Sequence, residues 1–156
     1  MRIRKALAVS ASFAVLFTAC SVAHAALPTA CQLLDAQTAA SLAGGAVAAP
    51  VDGREILCAY GLKSGNANVL LQVNYAPGTD GSDTIPAMRM AAGQVGTAES
   101  IPGLGDHNLL YTKGSQGSFF LVYYHQKMLQ LSVGRQLTPD LKAAMVQAIR
   151  QMLSKL

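Results

Sequence analysis

Residues 107–133 read HNLLYTKGSQGSFFLVYYHQKMLQLSV. Three runs rich in apolar, β-branched and aromatic residues, at about 107–113, 118–125 and 128–133, are divided by the glycine-bounded stretch 114–117 and by Gln126-Lys127. That is the pattern of consecutive antiparallel strands. With 114–117 as a four-residue loop, Lys113 faces Ser118 and His107 faces Tyr124. With Gln126-Lys127 as the next turn, Tyr124 faces Leu129 and Val122 faces Leu131, although neither turn residue is one that a tight hairpin prefers. This register predicts a core face of His107, Leu109, Tyr111, Phe120, Val122, Tyr124, Leu129, Leu131 and Val133. Leu110, Phe119, Leu121, Tyr123 and Met128 then share the other face with Asn108, Thr112, Gln130 and Ser132. Covered by a helix, that face is a second core layer; left open, it is an apolar–aromatic groove for a lipid, peptide or envelope partner.

Upstream, Val69, Leu71, Val73 and Tyr75 alternate with polar residues in a strand at 67–75, paired through the turn 63–66 with a strand at 54–62. Residues 46–53 contain Pro50 and Asp52-Gly53 and read as a loop. Before them a helix opens at the N-cap Asp35, with Leu33, Leu34 and Leu42 as anchors, and ends at Gly44-Gly45. A second helix runs from the cap Asp83 to about Gln94, with Ile85, Met88 and Ala92 on its apolar face. A short strand follows at 97–101. The last helix starts at Thr138-Pro139-Asp140 and buries Leu141, Met145, Ala148, Met152 and Leu156. The order αββαβββα, with about five strands and three helices, is that of an α+β domain built on an antiparallel sheet.

Residues 1–25 carry a different signature. Arg2, Arg4 and Lys5 precede an apolar stretch of twelve residues, 6–17, and Ala23-His24-Ala25 forms a cleavage signal before Ala26. This is the anatomy of a bacterial export signal. Removing 25 of the 156 residues leaves a domain of 131 at 26–156, a length that suits one core. A second cleavage reading competes: Cys20 follows Leu16-Phe17-Thr18-Ala19, as in a lipoprotein box, with Phe17 where Leu is usual. Cleavage at Ala25/Ala26 gives a periplasmic or secreted protein. Cleavage before Cys20 gives a lipid-anchored one, held by three acyl chains.

Without the three signal cations, nine Lys and Arg face eight Asp and Glu, a net charge of +1. The nine are scattered, whereas a nucleic-acid surface needs clustered cations. No later apolar run reaches the roughly 18 residues of a membrane span. Cys31 and Cys58 remain as an even pair, expected to form a structural disulfide in an oxidising compartment.

Candidate chemistry is sparse. Pro102-Gly103-Leu104-Gly105-Asp106 lacks the third glycine and following helix of a dinucleotide loop and reads as a bend. Asp106 and His125 face each other across the hairpin, as a carboxylate orienting a general base would, but no nucleophile motif accompanies them. His107 falls on the expected core face, away from His125, so no metal site is expected. No cofactor motif is present.

Cys31-Gln-Leu-Leu34, Cys58-Ala-Tyr60 and Gly103-Leu-Gly-Asp106, behind a signal with a lipoprotein-like box, resemble a group of small bacterial cell-envelope lipoproteins. Those proteins are compared with the PsbP and Mog1-type α/β/α sandwich. The resemblance spans most of 31–154 and implies a Cys31–Cys58 bridge and a non-enzymatic envelope role. The expected function is an exported, disulfide-stapled binding or accessory module for an envelope protein, a lipid or a small ligand. Its candidate binding face comprises Leu110, Phe119, Leu121, Tyr123 and His125. The alternatives are a periplasmic hydrolase using His125 with Asp106, and a structural lipoprotein anchored through Cys20.

Overall fold

Thr29 begins the ordered architecture with a capping box: its hydroxyl accepts from the Gln32 N–H while the Gln32 side chain accepts from the Thr29 N–H. A computed structural model describes residues 28–53 and 55–156. Cys20, Ala25 and Ala26 lie outside the described residues.

The capping box starts a one-turn helix, α1 (Ala30–Leu33), just ahead of the helix expected from Asp35. Asp35 then caps α2 (Ala36–Ala43) by accepting from the Thr38 N–H at 2.8 Å. That bond is the main reason its carboxyl titrates below the usual range. Gly44 ends α2 at φ 77°, in the left-handed region where a side chain is strained. The Arg135 guanidinium donates to the Leu42 carbonyl at 3.0 Å, placing a cation at the negative end of the helix.

The sheet contains seven strands: β1 (Val51–Gly53), β2 (Leu57–Gly61), β3 (Asn68–Tyr75), β4 (Ala98–Glu99), β5 (His107–Thr112), β6 (Ser118–Tyr124) and β7 (Lys127–Val133). All pairs are antiparallel, in the order β1-β2-β3-β7-β6-β5-β4. The remaining helices are α3 (Thr84–Gly93) and α4 (Pro139–Leu153). The α+β class and antiparallel sheet follow the sequence reading; one short helix and the edge strand β1 are added to it, and the expected strand at 97–101 shortens to β4. The segment 54–62 divides: its strand starts only at Leu57, after a bend with Glu55 at φ 68°, and part of the expected loop 46–53 becomes the edge strand β1.

Two apolar layers sandwich the sheet. On one face Leu33, Leu34 and Leu42 from the N-terminal helices pack with Met145, Ile149 and Met152 of α4 against Val69, Leu71, Phe120, Val122, Leu129 and Leu131. On the other, Ile85 of α3, with Met88 beside it, covers Leu109, Leu121 and Tyr123. Asp83 stands at the start of α3 but its side chain makes no capping bond and its backbone is already helical, so the expected cap is absent there. Thr138 does cap α4, accepting from the Leu141 N–H at 3.2 Å.

The register within 107–133 differs from the sequence reading. The loop between β5 and β6 holds five residues, because Lys113 closes a 3-10 turn (Gly114–Gln116) instead of pairing. Thr112 therefore faces Ser118 and His107 faces Tyr123. One added loop residue reverses every side chain of β5. Leu110 enters the α4-side core, whereas His107, Leu109 and Tyr111 turn towards α3. The β6–β7 turn is His125-Gln126, not Gln126-Lys127, with Tyr124 facing Lys127 and Val122 facing Leu129. His125 at φ 45° and Gln126 at φ 62° take the two positive angles that a type I′ hairpin requires. This correction moves the pairing by two residues, so the faces of β7 stay as expected.

Cys31 and Cys58 form the disulfide, tying α1 to β2 with their Cα atoms 4.9 Å apart. Beside it the buried Tyr60 hydroxyl donates to the Leu34 carbonyl at 3.2 Å; burial, and then the nearby Asp35 charge, raises its pKa. A bridge across 27 positions constrains the unfolded chain by roughly 3.6 kcal/mol on the loop-entropy relation. Cys58→Ser is expected to lower unfolding free energy by about 2–5 kcal/mol, with reduced wild type falling to a similar denaturant midpoint. Equal midpoints for oxidised and reduced wild type would show that the bridge adds no stability.

Candidate functional site

The loop 102–106 is built from both ends. Leu104 is buried in the α4-side core, and the Asp106 N–H donates to the Tyr123 carbonyl at 2.7 Å. Between them Gly105 sits at φ 63° so close to β6 that an added Cβ would lie 2.3 Å from the Tyr123 carbonyl oxygen. Only glycine satisfies both the angle and the approach. Asn108, 7% exposed, holds the rest of the loop. Its side chain accepts from the Ile101 N–H at 2.8 Å and donates to the carbonyls of Ile101 at 2.9 Å and Leu104 at 2.8 Å. A buried amide this well satisfied acts as a substitute for strand pairing.

This loop, the segment around Asp80 and the β6–β7 turn meet at one end of the sheet. Gly78, Thr79, Asp80, Asp106, His125 and Gln126 line an open cleft of about 460 Å³. Asp106 and His125 are thus neighbours, but through different atoms than a general-base pair uses. The Asp106 carboxylate accepts from the main-chain N–H of His125 at 2.9 Å, and the imidazole stacks on Tyr124 with ring centroids 4.0 Å apart. The carboxylate holds a strained turn in place. His107, expected in the core, is half-buried on the α3 side, with Nε2 3.5 Å from an Asp80 carboxylate oxygen. The Ser82 N–H, and then the Ser82 side chain, hold the Asp80 carboxyl below its usual range, with a smaller contribution from His107.

Alongside α3 lies a second, half-open cavity of about 380 Å³, lined by Ser82, Ile85, Pro86, Arg89, Met90, Ser100, His107 and Asn108. Arg89 comes from the exposed side of α3 and donates to the Ser100 hydroxyl, which donates in turn to the Asn108 carbonyl at 2.7 Å. The sequence reading passed over Arg89 and Ser100. Their meeting depends on how α3 lies against the segment before β5, which no local spacing marks.

The face expected from Leu110, Phe119, Leu121, Tyr123 and His125 is not one surface. Leu110 lies in the opposite core layer, Leu121 and Tyr123 are buried beneath α3, Phe119 is half-buried and stacked with Tyr111 at 5.2 Å, and His125 occupies the exposed turn. Among the described residues, no group of three or more His, Cys, Asp or Glu is placed to hold a metal ion. No described helix is long and apolar enough to cross a membrane.

Two pairs of substitutions test this geometry. Gly103 and Gly105 both have positive φ, but a Cβ at Gly103 meets open space. Gly103→Ala is expected to cost about 1 kcal/mol, and Gly105→Ala clearly more, by urea unfolding; equal losses would contradict the close approach to Tyr123. His125→Asn combined with Gln126→Gly suits the type I′ turn and is expected to raise stability by about 1 kcal/mol. A fall in melting temperature would count against that turn. No family model, curated protein or solved structure matches the chain.

Proposed function

We propose that this chain is an exported, disulfide-stapled module of the cell envelope that binds a small ligand without transforming it. The Cys31–Cys58 bridge is the observation that carries the compartment, because such bridges persist where thiols are not kept reduced. The basic, apolar and Ala-x-Ala sequence of residues 1–25 supports the same destination. So does the resemblance of the Cys31, Cys58 and Gly103–Asp106 motifs to envelope lipoproteins.

Binding rather than catalysis is favoured by how the polar groups are used. Asp106, the carboxylate that would orient His125 as a base, is bonded to the turn backbone. The cavity alongside α3 instead combines apolar walls with a cation, the general form of a small-molecule site.

The deciding experiment is an intact mass of the protein isolated from its own envelope, with thiols alkylated before reduction. A mass starting at Ala26, two hydrogens short and without alkylated thiol, is the expected result. A mass starting at Cys20 with three acyl chains would keep the module reading and add a membrane anchor. An unprocessed chain with alkylated Cys31 and Cys58 would overturn the reading.

A further inference from the structure

We infer that the half-open cavity alongside α3 binds a small monocarboxylate with a short apolar tail, its carboxylate on Arg89. This rests on the reading of the chain as a binding module and adds the chemical class of the ligand. The first argument is the balance of donors and acceptors in the lining. Both polar atoms of the Asn108 side chain are spent on the backbone of Ile101 and Leu104. The Ser100 hydroxyl accepts from Arg89 and donates to the Asn108 carbonyl. The His107 Nε2 faces Asp80. The Ser82 hydroxyl turns to the Asp80 carboxylate, so what remains for a ligand is the rest of the Arg89 donor fork, together with the His107 Nδ1. A partner for that fork must be an acceptor.

Charge gives the second argument. Among the described residues the ion pairs are His107 with Asp80 and Lys142 with Glu99, so Arg89 has no carboxylate within salt-bridge distance. Its planar guanidinium matches a carboxylate in two parallel hydrogen bonds. Arg89 is the one permanent cation in the lining, which suits a monoanion better than a dianionic phosphate.

The third argument is apolar surface and size. Ile85, Pro86 and Met90 supply the remaining wall, with Ile85 buried and Met90 exposed. At about 380 Å³ the cavity stands near the lower end of ligand sites. A straight-chain acid of about ten non-hydrogen atoms is the matching scale.

Octanoate is the probe, with octanol as its uncharged counterpart, each titrated into the ¹⁵N-labelled purified protein at neutral pH and followed by amide chemical shifts. Octanoate is expected to shift Ile85, Arg89 and Ser100 saturably, with a Kd of roughly 0.1–1 mM. Octanol should bind at least about tenfold more weakly. Arg89→Gln should abolish the preference, while its retained melting temperature and weak octanol binding show the cavity intact. Equal affinity for both probes, or a preference for octanoate that survives Arg89→Gln, would overturn the carboxylate assignment and leave the module reading standing. No saturable shift from either probe would overturn the ligand class. The module reading itself fails only on the processing and thiol state read by intact mass.

Discussion

Burial of the β5–β6 hairpin from both sides is the constraint on which the rest of the structure depends. Leu110, Phe120 and Val122 point into the layer closed by the N-terminal helices and α4, while Leu109, Leu121 and Tyr123 point into the layer closed by α3. A strand pair with no solvent face has to satisfy its backbone within the protein wherever pairing ends. At one end the 3-10 turn at Gly114–Gln116 does this. At the other, the Asp106 N–H, the Asp106 carboxylate and the Asn108 amide bond the main chain of Tyr123, His125, Ile101 and Leu104. The polar residues gathered at that end are there first because the backbone needs them. The cleft and the cavity alongside α3 are formed by what those bonds hold in place.

This constraint also explains what was legible in the sequence. Residues 67–75 gave a correct face because Val69, Leu71 and Val73 meet the core while Leu70, Gln72 and Asn74 meet the partly open side of the sheet. The last helix was readable from Thr138 to Leu153 because one stripe is buried and the rest is wet. In β5 the same logic fails. Leu109 and Leu110 are both buried, one on each face, so alternation carries no information about which side is which. Loop length alone fixes the register there. The participation of Lys113 in the turn, and not in the ladder, reversed the expected faces. His125-Gln126 was hidden for a related reason: neither residue advertises positive φ, and Asp106, distant in sequence, supplies a bond that holds the turn.

The candidate site was legible in part. Asp106 and His125 were recognised as neighbours, since a pairing error of one residue still leaves them at the same end of the hairpin. Their atoms could not be read, because a carboxylate bonds a backbone N–H as readily as an imidazole. Arg89 and Ser100 were not found. Their meeting depends on how α3 lies across β4 and β5, a tertiary placement that no local period encodes. Asn108 left a fainter trace, a lone amide inside an otherwise apolar strand, and its burial with every side-chain atom satisfied is what turns that trace into a structural role.

The two layers are fastened unequally, and the inequality bears on function. On the α4 side the helices are held by a disulfide, by the Tyr60 bond to Leu34 and by Arg135 on the end of α2, in addition to a continuous apolar core. On the other side α3 rests on Ile85, Met88 and Ala92, lacks a side-chain cap, and is tied across by the Arg89 contact to Ser100. Elements with few buried contacts and unsecured ends open at the lowest local free energy. The α4 layer is therefore the more heavily fastened of the two, and α3 the less. Arg89, Met90 and Pro86 ride on α3, while Ser100, His107 and Asn108 belong to β5 and the segment before it. A ligand entering between them would bridge the helix and the sheet, so its affinity would depend on where α3 sits on the sheet as much as on the side chains of the lining.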